Sequence, residues 1–236
     1  MSYDYNGFVT ALSQEIAITS TNADFLTMLP TFISNAELRI YRDLDLLATV
    51  FRDPNGVVTV NQRSMALPTT YGRFVVVEAV NLFISGVRQP GLTPVSRDFM
   101  DMLYPAEAAL AVTGIPSLFC RADDQTLLLG PTAGTGAGVT GAEVVGTVRP
   151  TTLSAVNTTT FISQYLPDLF LAAAMVEAAG WMKNYGAQAD DPKLALSWEG
   201  IYQNRASGAA IEENRKKFQS GSWAAKNPVN VQPDRG

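Results

Sequence analysis

Apolar residues recur at helical spacing toward both ends of this chain and at strand spacing between them. From about Tyr5 to Ala17, Phe8, Val9, Leu12 and Ile16 share one face and predict a first helix. Ser20-Thr-Asn22 then offers capping oxygens for a short turn holding Phe25 and Leu26. Pro30 suits the first turn of a second, longer helix, where its missing N–H costs nothing. Phe32, Ile33, Ala36, Ile40 and Leu44 form the stripe of that helix. Glu37, Arg39, Arg42 and Asp43 are expected on its solvated or subunit-facing surface.

From Ala48 the period changes. Thr49-Val-Phe-Arg52, the turn Asp53-Pro-Asn-Gly56 and Val57-Val-Thr-Val60 predict a hairpin, the proline fixing φ and the glycine accepting a positive one. Leu67-Pro68 leads into Phe74-Val-Val-Val77 and Val80 to Ile84, with Ser85-Gly86 as the next turn. Ser96 caps a short helix ending near Leu103. Leu118-Phe-Cys120 and Thr126-Leu-Leu-Leu129 flank Ala122-Asp-Asp-Gln125 as a second hairpin. Four glycines crowd the nine residues from Ala133 to Gly141, which are expected to be an irregular, mobile hairpin tip before the strand Glu143–Val148.

Helix returns after Phe161. Pro167 and Asp168 open one from about Leu166 to Tyr185, closed by Gly186, with an alanine-rich interior that allows close packing. Asp190-Asp-Pro192 starts the last helix with two acids at the positive end of its dipole. Leu194, Trp198, Ile201 and Tyr202 repeat along it, and Arg215-Lys-Lys217 ends it. From Gln219 the tail, with Pro228 and Pro233, is expected to be extended. The fold class that follows is α+β. Residues 1–48 and 160–218 form a discontinuous long-helix bundle, 49–159 an inserted antiparallel β domain, and 219–236 an extended C-terminal arm.

Composition matters mainly for what it removes. The 236 residues carry a net charge of −5 with no dense basic block, which disfavours specific nucleic-acid binding. Histidine is absent, and with it the commonest general base and transition-metal ligand. The single cysteine, Cys120, excludes an internal disulfide and any multi-thiolate site, and its strand context suits a small buried apolar group. The N-terminus lacks a basic region followed by an apolar run. The apolar run Leu169–Val176 falls far short of the roughly 20 residues a membrane span needs. A soluble product made in the cytoplasm is expected.

Three motifs invite chemistry and each has a plainer reading. Gly134-x-Gly-x-Gly138 is followed by a strand pattern, not by the helix N-terminus that a phosphate-cradling loop requires. Asp123-Asp124 and Asp190-Asp191 lack a third ligand at loop spacing and read as a solvated turn and a helix start. Arg215, Lys216, Lys217, Lys226 and Arg235 make a mildly basic end interrupted by Glu212, Glu213 and Asp234, thin for nucleic acid. With Trp223 isolated in the polar tail, that end suits docking to a protein partner.

An ordered set of segments carries a resemblance. Asp24 to Leu44 resembles the N-terminal helix of head-to-tail adaptor proteins (gateway, or tail tubular A) of short-tailed bacteriophages. Leu67-Pro68-Thr-Thr-Tyr71 is similar to the family's Leu-Pro element. Gly114-Ile-Pro116 with Leu127-Leu-Leu-Gly-Pro131 is similar to its next hairpin, and Tyr165-Leu-Pro-Asp-Leu169 to Trp181 to its second helical signature. The likeness covers about Asn22 to Tyr202.

The resemblance implies a structural virion protein at the head-tail junction. It would form a ring, usually of twelve copies, that links the portal protein to the tail nozzle and lines the DNA exit channel. It implies no enzymatic activity, no cofactor, no metal and no membrane. Twelve copies at −5 each would carry −60, a field that favours sliding of ejected DNA over sticking. Candidate portal-binding residues are Arg215, Lys216, Lys217, Phe218, Trp223 and Lys226. Candidate nozzle-binding residues are Gly134, Gly136, Gly138, Val139 and Gly141. The competing expectation, a small-molecule-binding or accessory enzyme domain with a pocket in the β region, requires convergent polar residues with shifted pKa values.

Overall fold

Pro167–Met182 forms a helix that is apolar all round, and such a helix must be enclosed. A computed structural model of the protein describes residues 2–105, 112–182 and 192–225. The chain divides into two compact units, Met1–Leu47 with Thr152–Gly236, and Ala48–Thr151.

In the helical unit, α1 is Tyr5–Glu15, α2 Ala23–Asp43, α4 Phe161–Tyr165, α5 Pro167–Met182 and α6 Pro192–Ala225, with α3 lying in the other unit. α5 packs against α1, α2, α4 and α6, and seven of its alanine and methionine side chains are buried. Phe8 of α1 stacks on Phe170 of α5 with ring centroids 4.1 Å apart. Asn22 caps α2, its Oδ1 accepting from the Phe25 N–H at 3.0 Å. The expected short turn is therefore continuous with the second helix, and Pro30 sits inside it. Pro30 is exposed, so the carbonyl it leaves unpaired can face water.

Glu37 departs most from expectation. Read as surface, it is 2% exposed. Its Oε1 accepts from the Leu153 N–H at 3.2 Å and from the Thr160 hydroxyl at 3.3 Å. Burial pushes its carboxyl up to about 7 despite those bonds. Thr160 and Ser163 form a reciprocal capping box at the start of α4. Residues 152–159, assigned to the β region on sequence grounds, go with the helices because Leu153 joins their core.

α6 runs to Ala225, so the expected end at Lys217 and the extended arm from Gln219 are corrected over 219–225. Ion pairs from Lys216 to Glu212 and from Lys217 to Asp45 carry the helix past the predicted stop. Gly186, Asp190, Asp191 and residues 226–236 lie outside the described residues.

The β unit holds two four-stranded sheets. β1 (Val50–Gly56), β10 (Val139–Arg149), β3 (Arg73–Ile84) and β4 (Val87–Gly91) form one, all antiparallel. β2 (Ser64–Ala66), β8 (Thr126–Gly130), β7 (Leu118–Arg121) and β5 (Thr93–Pro94) form the other, with β5 parallel to β7. β6 (Thr113–Gly114) and β9 (Thr132–Ala133) make a short parallel pair. Leu127 and Leu129 of β8 pack toward Phe74, Val80 and Val144 of the first sheet. Leu128 and Cys120 face Met100 of α3 (Arg97–Leu103) on the other side. Because both faces of β8 are covered, its sequence is continuously apolar rather than alternating.

Asp53-Pro-Asn-Gly56 does not turn the chain. Asp53 Oδ1 accepts from the Asn55 N–H at 3.0 Å, making a bulge within β1, whose partner is β10. Val57–Val60 consequently forms no strand. Ser85 and Gly86 do close a hairpin, both with positive φ. Of the four edge strands of the two larger sheets, three carry a proline, Pro54 on β1, Pro90 on β4 and Pro94 on β5, and the fourth, β2, has three residues.

Two outcomes follow. Glu37 holds a proton in the folded state that the unfolded chain releases from about 4.5 upward, so its stabilising share is complete below that pH and lost as pH rises through about 7. Unfolding free energy, followed by tryptophan fluorescence (all three tryptophans lie in the helical unit), is expected to fall by up to about 3 kcal/mol from this group between about pH 5 and pH 8. Glu37→Gln removes that slope; an unchanged slope refutes the assignment. At Gly146 a Cβ would stand 2.1 Å from the Val76 carbonyl oxygen. Gly146→Ala is expected to cost more than about 2 kcal/mol, read as lost hydrogen-exchange protection in β3 and β10.

Candidate functional site

The basic end of α6 is tied down by its own chain. Glu213, 4% exposed, accepts the Leu47 N–H at 2.9 Å through Oε2 and the Lys216 ammonium at 2.7 Å through Oε1. Lys216 also reaches Glu212 at 2.7 Å, and that contact, then Glu213, raises its pKa. The same ammonium stands 6.0 Å from the Phe161 ring centroid. Lys217 pairs with Asp45. Of the six candidate portal-binding residues, Lys216 and Lys217 are thus engaged within the chain, and Arg215 and Phe218 are exposed. Trp223 falls on the helical backbone with its side chain undescribed, and Lys226 lies outside the described residues.

Further up α6 the polar contacts are equally specific. Arg39 of α2 donates to both Glu199 oxygens, at 2.8 and 2.5 Å, and its guanidinium lies 3.9 Å above the Tyr202 ring. The Tyr202 hydroxyl donates to Asp43 at 2.6 Å, and burial raises its pKa. Arg205 donates to the Asp168 carbonyl at 2.6 Å. Sequence reasoning found the apolar stripe of α6 but missed these partners. A hint existed in Glu212 and Glu213, four and three residues before Lys216.

The glycine-rich segment is regular, contrary to expectation. β9 leads into a 3-10 turn, Thr135–Ala137, and Gly138 at φ +64° turns the chain into β10. Val139 and Gly141 are already strand, paired with Ile84 and Phe83. The glycines support order here because the turn needs a left-handed residue and the Gly134 N–H bonds the Gly114 carbonyl at 3.1 Å. The candidate nozzle-binding residues therefore divide between a turn, Gly134, Gly136 and Gly138, and a strand, Val139 and Gly141.

A groove of about 460 Å³ beside that turn is lined by Asn61, Thr113 to Ile115 and Gly134 to Ala137. Among the described residues that line it, none is a general acid or base that titrates near neutral pH. Asp123 and Asp124 lie on the β7–β8 turn. Asp123 caps the Gln125 N–H at 2.8 Å and Asp124 pairs with Arg73 and Arg121, and both carboxyls are held below their ordinary pKa by these contacts. Burial pushes the Cys120 thiol up, away from the reactive thiolate. Among the described residues, no three potential ligands lie close enough to hold a metal ion, and no helix is long and apolar enough to cross a membrane.

The chain matches the family model described as SU10 adaptor protein over residues 3–231, a range that includes segments of both units. No curated protein matches it.

Glu213 is the residue on which the basic end of α6 depends. Glu213→Ala strands a backbone N–H, and a loss of about 1–3 kcal/mol is expected in denaturant unfolding of the helical unit. A loss below about 0.5 kcal/mol would show that the contact contributes little.

Proposed function

The chain belongs to the SU10 adaptor protein family, and from that premise we propose that it is a structural adaptor of a phage virion, linking the portal to the tail nozzle. The observation that carries this reading is a family match that takes in almost all of the chain, β unit and helices together. In this reading copies of the protein, twelve in number, form a ring through which DNA passes without specific binding. The net charge of −5 per chain supports passage over adhesion.

Portal docking falls to the end of α6 and the residues after it. Phe218, 78% exposed, presents an aromatic side chain on the polar end of the helix, as interface anchors do. Trp223 and Lys226 follow in the sequence. Lys216 and Lys217, held by this chain's own acids, position that end rather than reach for a partner. The Gly134–Gly138 turn with Val139 and Gly141 is the nozzle-facing element. The chain does no catalysis.

Deleting Gly221–Gly236 tests the docking end. The shortened chain is expected to keep its helix signal and to be missing from portal complexes in electron micrographs. Truncated protein bound at the portal in normal amount would overturn the assignment.

A further inference from the structure

The β unit holds α3 with an apolar face outward. At about 100° per residue, Phe99, Met102 and Leu103 fall within about 100° of each other, on the side away from Met100 and Tyr104. Met100 is buried against Cys120 and Leu128, and Tyr104 packs beside it. Phe99, Met102 and Leu103 are instead 41%, 71% and 44% exposed. Single apolar residues are ordinary on a protein surface, but three large ones on one face of a short helix make a patch. The patch continues toward β6. Tyr104 lies against Gly130 and Pro131 against Gly114, and Val112 and Ile115, at the two ends of β6, are exposed.

A buried charge sets the rotation of α3. Asp101 accepts from Arg63 at 2.5 Å, and Arg63 is 3% exposed, its Nε without a hydrogen-bond partner among the described residues. Burying a guanidinium with an unpaired N–H is costly, and the contact it secures leaves Phe99, Met102 and Leu103 facing water. Arg97 also pairs with Asp101 and donates to the Ala122 carbonyl. Asp98 is the remaining charge of the helix. It stands about 40° from Met102 around the axis. Its side chain is exposed and makes no ion pair among the described residues.

We infer that the face of α3 formed by Phe99, Met102 and Leu103 docks an apolar segment of a different protein, one that brings a lysine or arginine to Asp98. An ion pair at the border of an apolar contact fixes its register and rejects partners of the wrong sign. Phe99 and Met102 are the anchors, a flat ring beside a thioether that adapts to the shape it meets. The same face meeting itself in a second copy would set Asp98 beside Asp98, which like charges oppose. Nucleic acid and an anionic membrane fit poorly, because the unpaired charge on α3 is negative. The inference goes beyond the portal and nozzle contacts proposed above and shares with them only the premise that the chain is part of a virion.

The test uses virions carrying the full-length protein with a photoreactive benzoyl-phenylalanine at position 102. Irradiation is expected to join the chain to a different polypeptide of the particle, at a site with a lysine or arginine within about four residues, one helical turn. An adduct confined to this chain, whether to residues 106–111 or to a second copy, overturns the inference. So does an attachment site without a nearby cation, or no adduct from a chain present in the particle. Met102→Glu is expected to lower the copies of the joined polypeptide about tenfold, since a charge then enters the apolar centre. Asp98→Lys is expected to do the same, and Asp98→Glu to leave the copies normal. These side chains are exposed, and hydrogen-exchange protection of β3 and β10 confirms that each variant folds. Normal copies in Met102→Glu overturn the apolar contact, and equal loss in Asp98→Lys and Asp98→Glu, or none in either, overturns the charge contact. Absence of the unsubstituted chain from the virion would sink the assembly reading, and this inference with it.

Discussion

A buried carboxylate fixes where this chain re-enters its own helical unit. Apolar contact between α2 and α5 is non-directional, and by itself it tolerates sliding of one helix along the other. Glu37 does not. Its Oε1 must meet the Leu153 N–H and the Thr160 hydroxyl together, so the segment returning from the β unit can enter at one height only. The cost is desolvation, and the hydroxyl of Tyr41, one turn along α2, is buried without a hydrogen-bond partner. A polar contact of this kind adds little net stability, but it selects one packing among several of similar apolar area.

The helices were legible because their periodicity is strong. Phe8, Leu12 and Ile16 in α1 and Phe32, Ile33, Ala36 and Ile40 in α2 are all buried, as their spacing implies. Local turn chemistry was a poorer guide. Asp53-Pro-Asn-Gly carries every mark of a hairpin turn and instead makes a bulge, because β10, far away in sequence, supplies the partner strand. The glycine-rich segment misled in the opposite sense, since pairing with Gly114 and Phe83 orders a stretch that composition alone reads as irregular. Glu37 could not be read at all. A charged residue on a helix is normally solvated, and only the three-dimensional return of Leu153 explains its burial.

The candidate docking residues show the same limit. Lys216 and Lys217 look like free cations in the sequence and are committed to Glu212, Glu213 and Asp45 in the fold. Most of the described charges of α6 are spent in this way, on holding the helix to its unit. The Leu196–Ile211 side of α6 and the Leu26–Ser34 side of α2 are exposed and carry no charge. Surface ion pairs of this sort contribute little stability individually.

The prolines at the sheet borders bear on what happens when many copies are held together. A strand with a free edge is a template, and crowding identical templates invites zipper-like growth from one molecule into the next. Pro54, Pro90 and Pro94 each withhold a backbone N–H where a foreign strand would seek one, and β2 is too short to seed pairing. The outer strands of the two four-stranded sheets are therefore poor templates for pairing with a neighbouring copy.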